Sequence, residues 1–203
     1  MEQSTNENLI DFVLGRPGAA AHVLESLGSL NALARFTPTA LTERFGLTLD
    51  EATRVAAALE LGRRRLVDAV HITAISSSHD VAIWAHPRIG LLAHEELHLL
   101  ALSGQGGLRG ARLIARGGLH ALAVRPSDIL RAGLELAASG FVLVHNHPSG
   151  NPDPSPEDIA LTRRVQESAD LLGMPLVDHV IVVASGRFSS FVANQWSSQS
   201  GSQ

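Results

Sequence analysis

The stretch Phe141 to Asp158, FVLVHNHPSGNPDPSPED, constrains the fold of this chain more than any other. Phe141-Val142-Leu143-Val144 is a run of apolar residues typical of a buried strand, and it continues through His145-Asn146-His147 until Pro148 stops it. Alternate residues of a strand share a face, so His145 and His147 look the same way. Two residue rises of about 3.3 Å put their Cβ atoms roughly 7 Å apart, which lets two imidazoles converge on one ion. Zinc takes His nitrogens at about 2.0–2.1 Å and accepts a carboxylate as a third ligand. Asp158, which opens the next helix, is the candidate for that ligand. Three protein ligands leave a fourth tetrahedral position for water, as in catalytic sites.

Asp158 has a second reading. Ser155-Pro156-Glu157-Asp158 has the form of a capping box, with Ser155 as N-cap, Pro156 in the first helical position and an acid at the third. Periodicity supports the ligand role: Ile159, Thr162, Val165, Ala169 and Leu172 form the expected inward stripe, and Asp158 lies near it. A carboxylate directed at a sheet needs a partner. Asp153, between Pro152 and Pro154, competes for the third place.

His145-x-His147-Pro148 … Ser155-x-x-Asp158 resembles the JAMM (MPN-plus) metalloprotease motif. The longer string HNHPSGNPDPSPEDIALTRRV, with LVDHVIV beyond it, resembles the RadC family. The resemblance implies a JAB/MPN-like α/β (α+β) domain, a mixed β-sheet flanked by helices that holds Zn2+. It further implies that Ser155 assists the transition state and that a Glu beginning the first strand is the general base. Counting back from Ser103 and Leu108 puts that Glu at Glu95. Glu96 faces the opposite side, so only one of the two addresses the metal.

Composition narrows the chemistry. All sixteen basic residues are Arg, which excludes Schiff-base lysine catalysis, and without Cys there are no disulfides, thiol nucleophiles or thiolate ligands. Any metal is therefore held by imidazole and carboxylate. A net charge of −4 gives no global attraction for nucleic acid or membrane. No apolar run reaches about 18 residues and the N-terminus has no signal-peptide pattern, so a cytoplasmic protein with no membrane association is expected.

Residues 1–66 read as a small all-helical domain punctuated by Gly15-Arg16-Pro17-Gly18, Gly28, Thr37-Pro38 and Gly46. Its longest helix runs from Leu49 to Leu66, with Leu49, Ala52, Ala56, Leu59 and Arg63 along one side. The turn Gly46-Leu47-Thr48 resembles that of a helix-hairpin-helix DNA-binding domain, in which glycines let backbone N–H groups approach a phosphate. Here Thr48 replaces a second Gly and Asp50-Glu51 adds acid, so a packing or docking module competes with DNA binding.

Residues 76–196 form the expected hydrolase domain and 197–203 a disordered tail. Val70–Ile75 reads as a short strand, Ser76-Ser77-Ser78 as a cap, Glu95–Leu102 and Arg112–Ala115 as a hairpin and Ala121–Val124 as a further strand. Ser127 caps a helix ending at Gly140, and Leu176–Val183 and Phe188–Val192 close the sheet. Asp178-His179 reads either as a support behind the metal ligands or as a buried polar pair, with the structural reading preferred, and His94, His98 and His120 read as bystanders. The leading function is a zinc-dependent hydrolase acting on a peptide or isopeptide bond in a protein or peptide substrate. The alternatives are a DNA-repair-associated nucleic-acid-binding factor and a metal nuclease. The latter is disfavoured because no Lys or Arg lies between Phe141 and Thr162.

Overall fold

The computed structural model of the chain describes residues 4–117 and 124–192. It divides into two compact units, residues 1–69 and 70–203. Among the described residues, no helix is long and apolar enough to cross a membrane.

The first unit is helical: α1 Asn6–Leu14, α2 Ala19–Leu27, α3 Leu30–Leu33, α4 Pro38–Phe45 and α5 Leu49–Ala69. Thr5, Ser29 and Thr37 cap α1, α3 and α4 with their hydroxyls. Gly18 offers α2 no side-chain cap, and the Asp11 carboxylate on α1 substitutes by accepting from the N–H groups of Gly18 (2.6 Å) and Ala20 (2.7 Å). The buried face of α5 is Glu51, Ala52 and Val55, one residue off the expected stripe, and Leu49 is exposed. The shift has a local cause. Glu51 folds back as a capping group, its carboxylate accepting from Thr48 N–H at 2.8 Å and from Thr48 Oγ1 at 3.0 Å.

Among its described residues, the second unit is a mixed five-stranded sheet with helices on both faces. Its strands are β1 Glu96–Leu102, β2 Leu108–Arg116, β3 Gly140–Asn146, β4 Leu176–Val182 and β5 Phe188–Ser190, in the order β2-β1-β3-β4-β5. Among the described residues only β3 and β4 are parallel, and the crossover between them carries α8, Pro156–Leu171. One face, with Leu97, Leu99, Phe141 and Leu143, packs against α8 and α7 (Pro126–Glu135) through Ile129, Leu161, Val165 and Ala169. The other, with Leu100, Leu102, Val142, Val144, Val180 and Val182, packs against α6 (Ser78–Ala85) and a π-helical turn at His86–Gly90. This is the expected α+β, JAB-like architecture, and β3, central and buried at every residue, is its axis.

Several boundaries differ from the sequence reading. Val70–Ile75 contributes one isolated bridge, Ala74 to Gly107, rather than a strand. The helix expected from Ser127 begins at Pro126, whose fixed φ and missing N–H suit the first position, and it ends at Glu135, so Gly140 opens β3. On α8 the buried face is Asp158, Leu161, Thr162, Val165 and Ala169, while Ile159 and Leu172 are exposed. The expected strand positions 121–123, His120 and the tail 197–203 lie outside the described residues.

Asp178 ties three elements together. Its buried carboxylate accepts from Ser78 Oγ at 2.7 Å, Ser190 Oγ at 2.8 Å and the N–H groups of His179 (2.7 Å) and Val192 (3.3 Å). Asp178→Ala leaves those donors without an acceptor. We expect it to lower the unfolding free energy by about 3 kcal/mol in urea titrations, whereas Ser78→Ala, which removes one donor, costs about 1 kcal/mol.

Candidate metal centre

The centre is built where β3 runs out beneath the first turn of α8. His145 and His147 share the α8 face of the sheet, and their Nε2 atoms lie 2.9 Å apart. The Asp158 carboxylate closes the triangle, with Oδ1 3.2 Å from His145 Nε2 and Oδ2 3.3 Å from His147 Nε2. Four ligands around zinc at 2.0–2.1 Å stand about 3.3 Å from each other, so the three atoms already approximate one face of that tetrahedron. No other group of three His, Cys, Asp or Glu among the described residues gathers its ligand atoms within 4.8 Å.

The hydrogen bonds behind the triangle decide which nitrogens carry protons. Thr162 Oγ1 donates to the Asp158 carbonyl at 2.6 Å, because a carbonyl can only accept. The same hydroxyl must then accept from His179 Nδ1–H, also at 2.6 Å. Burial drives the fully enclosed His179 to the neutral form, its pKa held well below the ordinary value, with the charge of nearby His145 adding to the effect. Its Nε2 is therefore bare and accepts from His145 Nδ1–H at 2.9 Å. His147 Nδ1–H donates to the Asn151 carbonyl at 2.9 Å. That leaves Nε2 of both rings on the Asp158 side. In the metal-free protein Nε2–H groups donate to its carboxylate. With those protons removed, two imidazole lone pairs and a carboxylate would face one point, a donor set that can hold a metal ion.

Ser155 and Asp158 form the capping box read from the sequence, and the box orients the ligand. Asp158 N–H donates to Ser155 Oγ at 3.1 Å, while Ser155 N–H (2.8 Å) and Oγ–H (2.6 Å) donate to Asp158 Oδ2. The cap and ligand readings are thus two aspects of one arrangement. Burial alone would raise the Asp158 carboxyl, but hydrogen bonds from His145, His147 and Ser155 outweigh it and hold the group far below the carboxylate range. Burial likewise opposes the charged form of His147, and the bonds to Asp158 and Asn151 overcome it, raising its pKa.

Glu95 lies just before β1, two positions from Leu97, which pairs with His145. With His147, Ser149, Asn151, Asp153, Pro154, Ser155 and Asp158 it lines an open cavity of about 340 Å3. Glu96 turns to the other face. It is buried at 6 % exposure and accepts from His94 (3.1 Å), His98 (2.9 Å) and Arg116 (2.8 Å). Burial pushes its carboxyl up and those three donors bring it below its ordinary value. His94 and His98 are therefore partners of Glu96 rather than idle. Asp153 lines the same cavity but is not part of the ligand triangle.

The sequence reading missed Thr162 as a support of His145 and preferred a structural role for His179 over one behind the ligands. Thr162 stood on the predicted inward stripe, four residues after Asp158, and that spacing was the only signal. The 149–154 loop is a further support: Arg187 donates to Gly150 O at 3.0 Å and Ser189 Oγ to Pro152 O at 2.6 Å, which fixes the Asn151 carbonyl under His147.

The raised His147 and depressed Asp158 make the metal-free protein pH-sensitive in a defined direction. The His147 contribution is complete below about pH 6.5 and is lost as the pH rises through its raised value. The Asp158 contribution is present above about pH 3.9 and is lost as the pH falls through its depressed one. We expect the urea midpoint of metal-free protein to fall as the pH is raised above about 6.5. In His147→Gln that alkaline decline should flatten.

Comparison with known proteins agrees with this geometry. The family model of the RadC-like JAB domain matches residues 75–196. The chain is 34% identical over 177 residues to the UPF0758 protein of Desulfitobacterium hafniense, covering 87% of this chain and 75% of that protein. It is 32% identical over 193 residues to the UPF0758 protein of Clostridium perfringens, covering 92% and 85%. With that of Flavobacterium johnsoniae it shares 33% over 171 residues, covering 84% and 74%. A match of this extent, centred on the domain that holds the triangle, places the chain in the RadC family.

Proposed function

We propose that the protein is a zinc-dependent hydrolase of the JAMM type that cleaves a peptide or isopeptide bond with an activated water. The observation that carries this reading is the convergence of ligand atoms of His145, His147 and Asp158 beside a cavity that His147, Asp158 and Glu95 line. A zinc ion held there would supply a Lewis acid that brings the pKa of water from 15.7 toward about 7.

The chain's own residues would divide the remaining work. The Glu95 carboxylate accepts the proton of the attacking water and returns it to the departing amine. Ser155 Oγ–H, now on Asp158 Oδ2, rotates to donate to the oxyanion, while Ser155 N–H keeps its hold on the same carboxylate. His179 and Thr162 keep His145 in the tautomer that exposes Nε2. No Arg is among the described residues lining the cavity, and Glu95, Asp153 and Asp158 are acidic. A phosphodiester would meet repulsion there, whereas an amide carries no charge.

The test is elemental analysis of purified protein together with assays on quenched fluorogenic peptides, an ε-linked isopeptide and supercoiled DNA. We expect one zinc per chain, lost in His147→Ala. Glu95→Gln should retain zinc while losing about 10²–10⁴-fold of turnover. Hydrolysis that survives Glu95→Gln would place the base elsewhere, and cleavage confined to DNA would favour the nuclease.

The helical unit supports a role in packing or docking rather than phosphate binding. At its hairpin turn the Thr48 N–H is already bound to the Glu51 carboxylate, which Arg16 approaches at 3.5 Å. Sequence-independent DNA binding draws mainly on phosphate neutralisation. The full chain should therefore bind labelled duplex more weakly than the roughly 10⁻⁴–10⁻⁶ M of non-specific binders in anisotropy titrations at two salt concentrations. Micromolar, steeply salt-dependent binding would revive the repair-factor reading.

A further inference from the structure

Asn146 stands between the two histidines and faces the other side of the sheet. The antiparallel ladder of β1 and β3 ends at the pair Leu97 and His145. One step further, where residues 96 and 146 would pair by backbone, a side chain makes the connection. Glu96 N–H donates to Asn146 Oδ1 at 2.8 Å, and Asn146 Nδ2 donates to the His94 carbonyl at 2.9 Å. These two groups belong to the peptide units on either side of Glu95. The carbonyl of Glu95 itself accepts from Gly117 N–H at 2.9 Å, so the backbone around the residue is held at three points.

We propose that Asn146 is the positioning residue of the general base, a clamp that fixes the direction in which Glu95 leaves the strand. This rests on the hydrolase reading above. A primary amide presents a donor and an acceptor in one plane, as a peptide bond does, and so replaces a missing backbone partner. Because a side chain spans the gap, β1 and β3 need not remain at ladder spacing beside Glu95 and His147, where the cavity opens. Asn146 is completely buried, so water cannot take over its bonds. On the same face, His94, His98 and Arg116 grip Glu96, which prevents the strand from rotating Glu95 out of the cavity. A residue with only one of the two functions, or too short to reach, cannot bracket Glu95.

The test compares full-length wild type, Asn146→Ala, Asn146→Ser, Glu95→Gln and the Asn146→Ala/Glu95→Gln double variant. Amide hydrogen exchange by NMR is read with and without zinc. Both Asn146 variants should exchange the Glu96 amide at least about tenfold faster while Leu99 and Leu143 stay protected. Serine keeps a polar group at the site if alanine fails to fold. Zinc should remain at one per chain. On the peptide or isopeptide cleaved by wild type, kcat should fall by about 10²-fold, as for a small misplacement of a reacting group, with KM within about twofold. The double variant should be no slower than Glu95→Gln alone, because both changes act through one group. Unchanged Glu96 exchange, exchange accelerated across the whole of β3, or losses that multiply in the double variant would overturn the clamp. A wild type that holds no zinc and cleaves nothing would overturn the hydrolase reading instead, and Glu96 exchange would still decide whether Asn146 holds this backbone.

Discussion

The directional chain from the Asp158 carbonyl through Thr162, His179 and His145 sets the chemistry of this protein. It starts from an atom that can only accept, so every later proton position is determined. It ends with His145 Nε2 aimed at a carboxylate from the same residue that begins it. Asp158 thus anchors both ends, with its backbone carbonyl at the origin and its side chain at the destination. Such a loop closes only when α8 lies over β3 and β4 in one register, because Thr162 is on the helix and His179 on β4. Apolar packing of Leu161, Val165 and Ala169 against Phe141 and Leu143 provides that register.

The first turn of α8 shows how one local rule serves two purposes. A Ser and an Asp three apart satisfy the orphan N–H groups of a helix start wherever they occur. Here the helix begins beside the end of a strand carrying two histidines, so Asp158 Oδ2 caps its helix and also faces His147. Pro156 and the two prolines of the preceding loop limit how far that turn can shift. The carboxylate is consequently fixed by folding, so a metal taken up there would not have to order it.

What was legible in the sequence follows the range of each interaction. Strand parity put His145 and His147 together, and capping grammar located Asp158, because both are decided within a few residues. Glu95 and Glu96 were separable in principle by parity, but which of them faced the metal came from the family resemblance. His179 was read as structural because its role depends on β3 and β4 being parallel neighbours, with Leu143 opposite His179 and a register shift just before it. No local pattern encodes that. Asn146 was hidden for a related reason: it faces away from its flanking histidines, and its two bonds reach residues fifty and fifty-two positions earlier.

The two adjacent glutamates show why parity carries such weight at this site. Glu96 is enclosed, and a buried carboxylate is tolerated only where donors compensate its desolvation. Three cationic or polar partners do so and hold it ionised. A carboxylate held that tightly is a poor proton carrier, since accepting a proton would break the bonds that stabilise it. Glu95, one residue earlier, lines the open cavity instead. The base of the proposed mechanism would have to change its protonation state during turnover, and a structural anchor must not. The strand sends these two consecutive carboxylates to opposite faces, and Asn146 joins the backbone between them to the strand that carries the histidines.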